Sequence, residues 1–116
     1  MSIRQMRVAD QIRAEIARLL IKDLKDPRIG FITITKVVVT PDLKVARVYF
    51  TKLSHSPKDK NASLAGLKSA GGFIKRMLGK NLELRYIPNI EFYHDDSFEY
   101  ENRIGELIEK TKEEEE

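Results

Sequence analysis

Several features common in enzymes and membrane proteins are missing from this sequence of 116 residues. It has no cysteine, which excludes disulfide bonds, thiolate metal ligands and cysteine nucleophiles and agrees with a reducing compartment. The N-terminus lacks the uninterrupted apolar segment of a signal peptide, and no apolar run approaches the ~20 residues of a membrane-spanning helix. A soluble cytoplasmic protein without a membrane partner is therefore expected.

The motifs on which an enzymatic function would depend are also absent. The sequence has no GxxxxGK[ST] phosphate-binding loop, no nucleophile elbow and no HExxH zinc motif. His94, Asp95 and Asp96 offer at most two ligands to one site, because only alternate residues of a strand share a face. These residues are predicted to end a strand instead. We expect no catalysis, no bound metal ion or cofactor, and no small-molecule substrate.

Charged residues, in contrast, are abundant and unevenly distributed. Residues 1–85 contain 18 Lys and Arg against 7 Asp and Glu, a formal charge of +11, whereas residues 86–116 contain 3 against 11, a charge of −8. A basic body of this kind predicts a polyanionic partner, with nucleic acid the commonest candidate. A Lys- and Glu-rich surface that serves solubility or growth at high temperature is the alternative, and composition does not separate the two.

The hydrophobic pattern predicts one α+β domain. A helix is expected from Ile3 to about Leu24, a hairpin of two strands at 31–39 and 43–51, and a long helical segment at 58–82 with Ser56 as a possible cap. A third strand at 90–95 and a last helix, capped by Ser97 and running to Ile108, follow. Helices then cover one face of a three-stranded sheet. Alternation along the second strand predicts a packed face with Ala46, Val48 and Phe50, and a partly wet face with Val45, Arg47 and Tyr49. The domain is assigned to residues 1–112, with an acidic, flexible end at 113–116.

Five cations of the first helix are predicted to project to one side. At 100° per residue they fall within roughly 60° of one another, well away from the apolar stripe, with no acidic residue at their centre. Most charge rows are simply solvated helix faces, but this arrangement favours polyanion binding. The cations, called the basic stripe below, are Arg4, Arg7, Arg18, Lys22 and Lys25.

Two adjacent glycines interrupt the long helical segment, at a cost of roughly 0.5 to 1 kcal/mol each relative to alanine. One interpretation is structural: the missing side chains of Gly71 and Gly72 relieve a steep crossing, or permit a bend, between two helices packed on one sheet. The other is functional: bare amides near a helix N-terminus admit a phosphate. The two are compatible. The candidate phosphate contacts are Lys68, Gly72, Lys75 and Arg76.

Four stretches, taken in order, resemble the ribosome-binding factor A family over nearly the whole chain, from Arg7 to Ile108. They are RVADQIRAEIARLL, DPRIGFITITKVVVTPDLKVARVYFT, SAGGFIKRML and LRYIPNIEFYHDDSFEYENRIGELI. The resemblance implies a single type II KH-like domain of order α-β-β-α-kink-α-β, followed here by the C-terminal helix. It also implies a non-enzymatic ribosome biogenesis factor, linked to growth in the cold, that binds the immature 30S small ribosomal subunit. Maturation and processing of ribosomal RNA near the 5′-terminal helix would be its task.

The chain departs from RNA-binding KH domains at the glycine pair. Those domains clamp backbone nucleotides with a GxxG loop between their central helices. Here Ala70-Gly71-Gly72 matches the Ala-x-Gly kink of ribosome-binding factor A, which argues against KH-type base readout. Two hypotheses stay open: a monomeric assembly factor that neutralises ribosomal RNA phosphates with its basic helices, or a module that docks on ribosomal proteins while its basic face is incidental.

Overall fold

The structure is a computed structural model that describes residues 1–52 and 57–97. Its elements are α1 (Ile3–Lys22), β1 (Ile32–Val39), β2 (Val45–Lys52), α2 (Pro57–Ser69), α3 (Gly71–Asn81) and β3 (Asn89–His94). This order confirms the predicted α+β layout as far as the third strand. The predictions of a Ser56 cap, a last helix reaching Ile108 and an acidic end at 113–116 lie outside the described residues.

Helix α1 begins with a capping box. Ser2 Oγ accepts a hydrogen bond from the Gln5 amide at 3.1 Å, and Gln5 Oε1 accepts one from the Ser2 amide at 2.7 Å. Gln5 Nε2 also donates to the Val39 carbonyl at 2.7 Å, which ties the start of α1 to the end of β1. The helix ends at Lys22, earlier than predicted, because the amides of Asp23 and Leu24 both turn back to the Leu19 carbonyl.

The three strands form a mixed sheet in the order β1-β2-β3. The hairpin pairs β1 and β2 antiparallel, and β3 runs parallel to β2 because α2 and α3 form the crossover between them. The β1–β2 register shifts between Ile34 and Lys36, which places a bulge at Thr35. In the hairpin turn, Leu43 has a φ of 61°, a left-handed conformation that is uncommon for a bulky side chain.

One face of the sheet packs against all three helices. On β2, Ala46, Val48 and Phe50 are fully buried, whereas Arg47 is exposed and Tyr49 half-buried on the outer face. The predicted alternation of packed and partly wet positions is thus confirmed. The helices complete a single core whose buried members are Ala9, Ile12, Ile16, Leu19, Ile29, Ile34, Val37, Val39, Ala46, Val48, Phe50, Leu67, Ile74, Leu78 and Phe92.

A close backbone approach occurs at Gly66, in α2. A Cβ at this position would lie 2.8 Å from Cγ1 of Ile29 and 3.3 Å from the Ile29 amide nitrogen. Ile29 is only 2% exposed, and Ser63, nearly one helical turn before Gly66, donates a hydrogen bond to the Ile29 carbonyl at 2.7 Å. Helix α2 therefore docks tightly on the turn that joins α1 to β1.

The cap predicted at Ser97 lies two residues earlier, at Asp95. Asp95 Oδ1 accepts hydrogen bonds from the Ser97 amide at 3.1 Å and from the Ser97 hydroxyl, so Ser97 donates where it was expected to accept. Asp95 Oδ2 also accepts from the Thr35 hydroxyl at 2.7 Å. These bonds, led by that of the Ser97 hydroxyl, hold the pKa of Asp95 below its ordinary range. The carboxylate thus joins the end of β3 to the bulge in β1.

Candidate nucleic-acid interface

The basic stripe presents three exposed cations on α1, namely Arg4, Arg7 and Lys22. Arg4 and Lys22 are 18 residues apart in this helix, a span of about 27 Å at the rise of an α-helix. A row of this length can face several successive phosphates of one strand. Lys25 is also exposed, but it lies beyond the end of α1, so helical geometry does not place it in the stripe as predicted.

Arg18, the remaining member of the stripe, is engaged by Glu15. Its Nε lies 3.2 Å from Glu15 Oε2, and its Nη2 donates to the other carboxylate oxygen. That oxygen also accepts from Asn81 Nδ2 at 2.8 Å, so the carboxylate bridges α1 and the end of α3. The Glu15 side chain is only 10% exposed. Arg18 therefore stabilises the fold, and a phosphate would have to compete with Glu15 for it.

We expect Glu15→Gln to lower the free energy of unfolding by about 1 kcal/mol near neutral pH, since a charge-assisted hydrogen bond is weakened. The Arg18 hydrogen bonds lower the pKa of Glu15 from its ordinary value of 4.5, against the opposing effect of burial. Because the pKa of Glu15 is lower in the folded state than in the unfolded state, the stabilisation is fully present above the unfolded-state pKa. It is lost as the pH falls through the folded-state pKa. Urea unfolding at neutral and acid pH measures it.

Glu83→Gln is the matched control, because it removes an exposed carboxylate instead of a buried one. It should change stability by less than about 0.5 kcal/mol. The loss of stability caused by Glu15→Gln could instead stay constant from neutral pH to below the folded-state pKa of Glu15. That result would show that the ionised carboxylate is not the stabilising species.

The bend between α2 and α3 lies at Ala70. This residue has φ −82° and ψ −2° and makes no side-chain hydrogen bond to the first turn of α3. A Cβ built at Gly71 or Gly72 would meet nothing within 4 Å. A bend is therefore present where the sequence predicted one, but close packing does not require glycine at either position. Gly71 and Gly72 form the first turn of α3, and they have no side chains that would cover its backbone amides.

The three cations near the bend are exposed but differ in their surroundings. Lys75 Nζ donates to Asn89 Oδ1 at 2.8 Å, at the start of β3. Lys68 and Gly71 lie beside β3 along a groove of about 340 Å³, called the edge groove below. Because α2 ends before Ala70, Lys68 does not share one continuous helix with Lys75 and Arg76.

A larger groove of about 740 Å³ lies near the hairpin turn, and Arg4 lines it. Lys44 and Arg85 add two cations, and the Arg85 guanidinium lies 5.6 Å from the centre of the Tyr86 ring. The stripe and the bend thus contribute to two different grooves. Lys44 and Arg85 were not predicted from the sequence, because both lie in loops where no periodicity relates them to Arg4.

A row of side chains on the outer face of the sheet was also not predicted from the sequence. Lys36, Tyr49 and Tyr93 are paired across the three strands. The alternation of β2 placed Tyr49 on this face, but the pairing with Tyr93 depends on the register of a parallel strand. No local pattern in the sequence specifies that register.

Neither a metal centre nor a membrane span is found in the described ranges 1–52 and 57–97. No group of three or more His, Asp or Glu side chains there could hold a metal ion. None of the helices in these ranges is long and apolar enough to cross a bilayer. His94 Nδ1 lies 2.9 Å from Asp96 Oδ1, a contact within the strand end and the turn that follows it.

Comparison with known proteins gives a match between residues 4–108 and the family model of ribosome-binding factor A. The chain belongs to this family. Among its relatives, the ribosome-binding factor A of Geotalea daltonii is 46% identical over 105 residues, which cover 90% of this chain and 85% of the relative. The resemblance read from the four sequence stretches is therefore confirmed.

Solved structures of the ribosome-binding factor A family share the fold. The solution structure of a Thermotoga maritima protein described as a ribosome binding factor A has a TM-score of 0.70 at 29% identity, covering 80% of this chain and 88% of that one. A homology model of the Thermus thermophilus ribosome binding factor A, fitted into a cryo-EM map of its 30S complex, has a TM-score of 0.60 at 21% identity, with coverage of 84% and 97%. The predicted KH-like arrangement, with helices on one face of a three-stranded sheet, agrees with these structures.

Proposed function

We propose that this chain binds the immature 30S subunit in the cytoplasm and assists late maturation of its ribosomal RNA near the 5′-terminal helix. The observation that carries the proposal is the family match over residues 4–108, together with the relative fitted into a 30S complex. The chain acts as a monomer by binding and release, without catalysis. A role in growth in the cold belongs to the same proposal.

Phosphate neutralisation is the proposed source of affinity. Arg4, Arg7 and Lys22 provide an exposed row on α1, and Lys25 extends the basic surface beyond its end. Each phosphate contact releases condensed counterions, so affinity depends steeply on salt. Arg18 contributes less than predicted from the sequence, because Glu15 already holds its guanidinium.

A second contact is proposed at the first turn of α3. Ala70 provides no side-chain cap there, and the absence of a Cβ at Gly72 allows a phosphate to approach the amides. Lys68 and Arg76 are exposed and lie close to Gly72 in the sequence. Lys75 would release its hydrogen bond to Asn89 and bind the phosphate instead. These groups replace the GxxG clamp of RNA-binding KH domains in this proposal.

Docking on a ribosomal protein is the second candidate function. Two large apolar side chains favour it, because Ile21 and Phe31 are 82% and 86% exposed. Apolar docking would depend little on salt, whereas RNA binding should show a slope of log affinity against log salt of about −0.7 to −0.9 per phosphate contact. The salt dependence therefore distinguishes the two candidates.

Sedimentation with purified particles tests the proposed function. The intact chain is mixed with immature 30S, mature 30S and 50S particles, and its bound fraction is measured over a range of salt concentrations. We expect preferential binding to the immature 30S particle, weakening as salt rises. Equal binding to 50S particles at every salt concentration would contradict the proposal.

A further inference from the structure

The aromatic row on the outer face of the sheet has a definite order. Tyr49, on the central strand, is paired with Lys36 of β1 on one side and with Tyr93 of β3 on the other. Lys36 Nζ lies 4.6 Å from the centre of the Tyr49 ring. The Tyr49 and Tyr93 rings are stacked, with centroids 5.5 Å apart and planes inclined by 28°. Both sides of Tyr49 are therefore occupied.

Tyr93 differs from Tyr49 because it stands on the edge strand. Its ring stacks on Tyr49, no further strand lies beyond β3 in the described sheet, and the residue is 41% exposed. The edge groove adjoins Tyr93 and separates it from Lys68 and Gly71 at the bend. A planar ring, an adjacent groove and a cation are thus brought together by β3 and the end of α2.

Glu91, the acidic residue nearest to Tyr93 on the outer face, interacts with Tyr93 and with Arg47. Glu91 Oε1 accepts a hydrogen bond from the Tyr93 hydroxyl at 2.8 Å and lies 3.8 Å from Arg47 Nε. This hydrogen bond raises the pKa of Tyr93 above its ordinary value of 10.0, so the phenol is neutral at physiological pH. Lys68 lines the edge groove together with Glu91, and Lys36 lies at the far end of the row.

We propose that the free side of the Tyr93 ring stacks on an unpaired base of ribosomal RNA while Lys68 contacts a phosphate of the same strand. The inference rests on the proposed function and specifies the ligand as single-stranded RNA. Stacking on an aromatic ring suits single strands because every base has a π-face, and a neighbouring cation holds the backbone. This contact is additional to the phosphate contact proposed at Gly72.

Substitution of Tyr93 tests the proposal. Affinity is measured for an unstructured RNA oligonucleotide of about ten nucleotides, a length that a single-strand-binding domain can cover, and for immature 30S particles. We expect Tyr93→Ala to weaken both by about tenfold, as loss of one base–aromatic stack does. The salt slope should stay unchanged, because no cation is lost. Lys68→Ala should instead reduce the slope by about 0.7.

Three further variants serve as controls. Tyr93→Phe keeps the ring and should bind within about twofold of the parent. Phe31→Ala removes a ring that is 86% exposed outside the edge groove and should leave oligonucleotide binding intact. Tyr93→Leu keeps an apolar contact with Tyr49 and replaces Tyr93→Ala if that variant unfolds. Its affinity should also fall, since leucine cannot stack on a base.

The outcomes separate this inference from the proposed function. Parental affinity in Tyr93→Leu, with normal binding to immature 30S particles, would overturn the stacking contact and leave the proposed function intact. Loss of 30S binding without loss of oligonucleotide binding would assign this face to a ribosomal protein and also overturn the inference. Absence of 30S binding by the parent chain would count against the proposed function itself.

Discussion

The double variant Arg7→Ala/Lys22→Ala is expected to bind immature 30S particles about 20-fold more weakly than the parent at physiological salt. Each phosphate contact contributes a slope of about −0.7 to −0.9 in log affinity against log salt, so two lost contacts should flatten the slope by about 1.6. Both side chains are exposed on α1, outside its buried face, and the fold should survive their truncation. Titration at several salt concentrations measures the affinity and the slope together.

Arg13→Ala/Lys80→Ala is the matched control for this prediction, because it removes the same formal charge from exposed positions outside the stripe. Arg13 is nine residues from both Arg4 and Lys22, which places it on the opposite side of α1. The control should lose only the small contribution of net charge. Equal losses in the two double variants would show that the stripe has no special role. No loss in either would favour docking on a ribosomal protein.

Gly66→Ala is expected to lower the free energy of unfolding by about 2 kcal/mol, the net of overpacking and a smaller gain in helix propensity. The new Cβ would lie 2.8 Å from Ile29 Cγ1 and 3.3 Å from the backbone nitrogen of the same residue, so a rotamer change alone does not relieve the conflict. For a domain of this size the loss corresponds to a melting temperature lower by about 10 °C. Thermal unfolding followed by circular dichroism measures it.

Gly72→Ala is the matched control for stability, since its Cβ meets nothing within 4 Å. It should be neutral or stabilising by up to about 0.5 kcal/mol, because alanine favours a helix over glycine. If Gly66→Ala proved as stable as Gly72→Ala, the close docking of α2 on Ile29 would be wrong. Because Gly72→Ala keeps the fold, it also tests the proposed phosphate contact. Unchanged 30S binding in this variant would eliminate that contact.

The parts of the fold predictable from the sequence are those governed by local periodicity. The apolar spacing of Ile12, Ile16 and Leu19 predicted α1, and the alternation around Val48 predicted the packed face of β2. The observed bounds of these elements differ from the predicted bounds by a few residues, because hydrogen bonds at the end of an element decide where it stops. Asp95 displaced the cap expected at Ser97 for the same reason, since its carboxylate accepts bonds from both Ser97 and Thr35.

Contacts between residues distant in sequence could not be predicted in this way. The helical projection correctly placed Arg18 beside the exposed cations but gave no sign that Asn81, 66 residues from Glu15, supports the carboxylate that holds it. The adjacent Gly71 and Gly72 stood out in the sequence as two helix breakers, but a Cβ at either would meet nothing within 4 Å, whereas the isolated Gly66 lies in close contact with Ile29. Steric need depends on what packs against a residue, and Ile29 reaches Gly66 only in the folded chain.

Chemical footprinting of ribosomal RNA in immature 30S particles tests the central claim most directly. With the intact chain bound, we predict protection of backbone positions near the 5′-terminal helix. The Arg7→Ala/Lys22→Ala variant should lose part of that protection at a concentration where Arg13→Ala/Lys80→Ala retains it. RNA reactivity that the bound chain leaves unchanged, or protection that appears only far from the 5′-terminal helix, would contradict the claim that this protein acts on that region by binding ribosomal RNA.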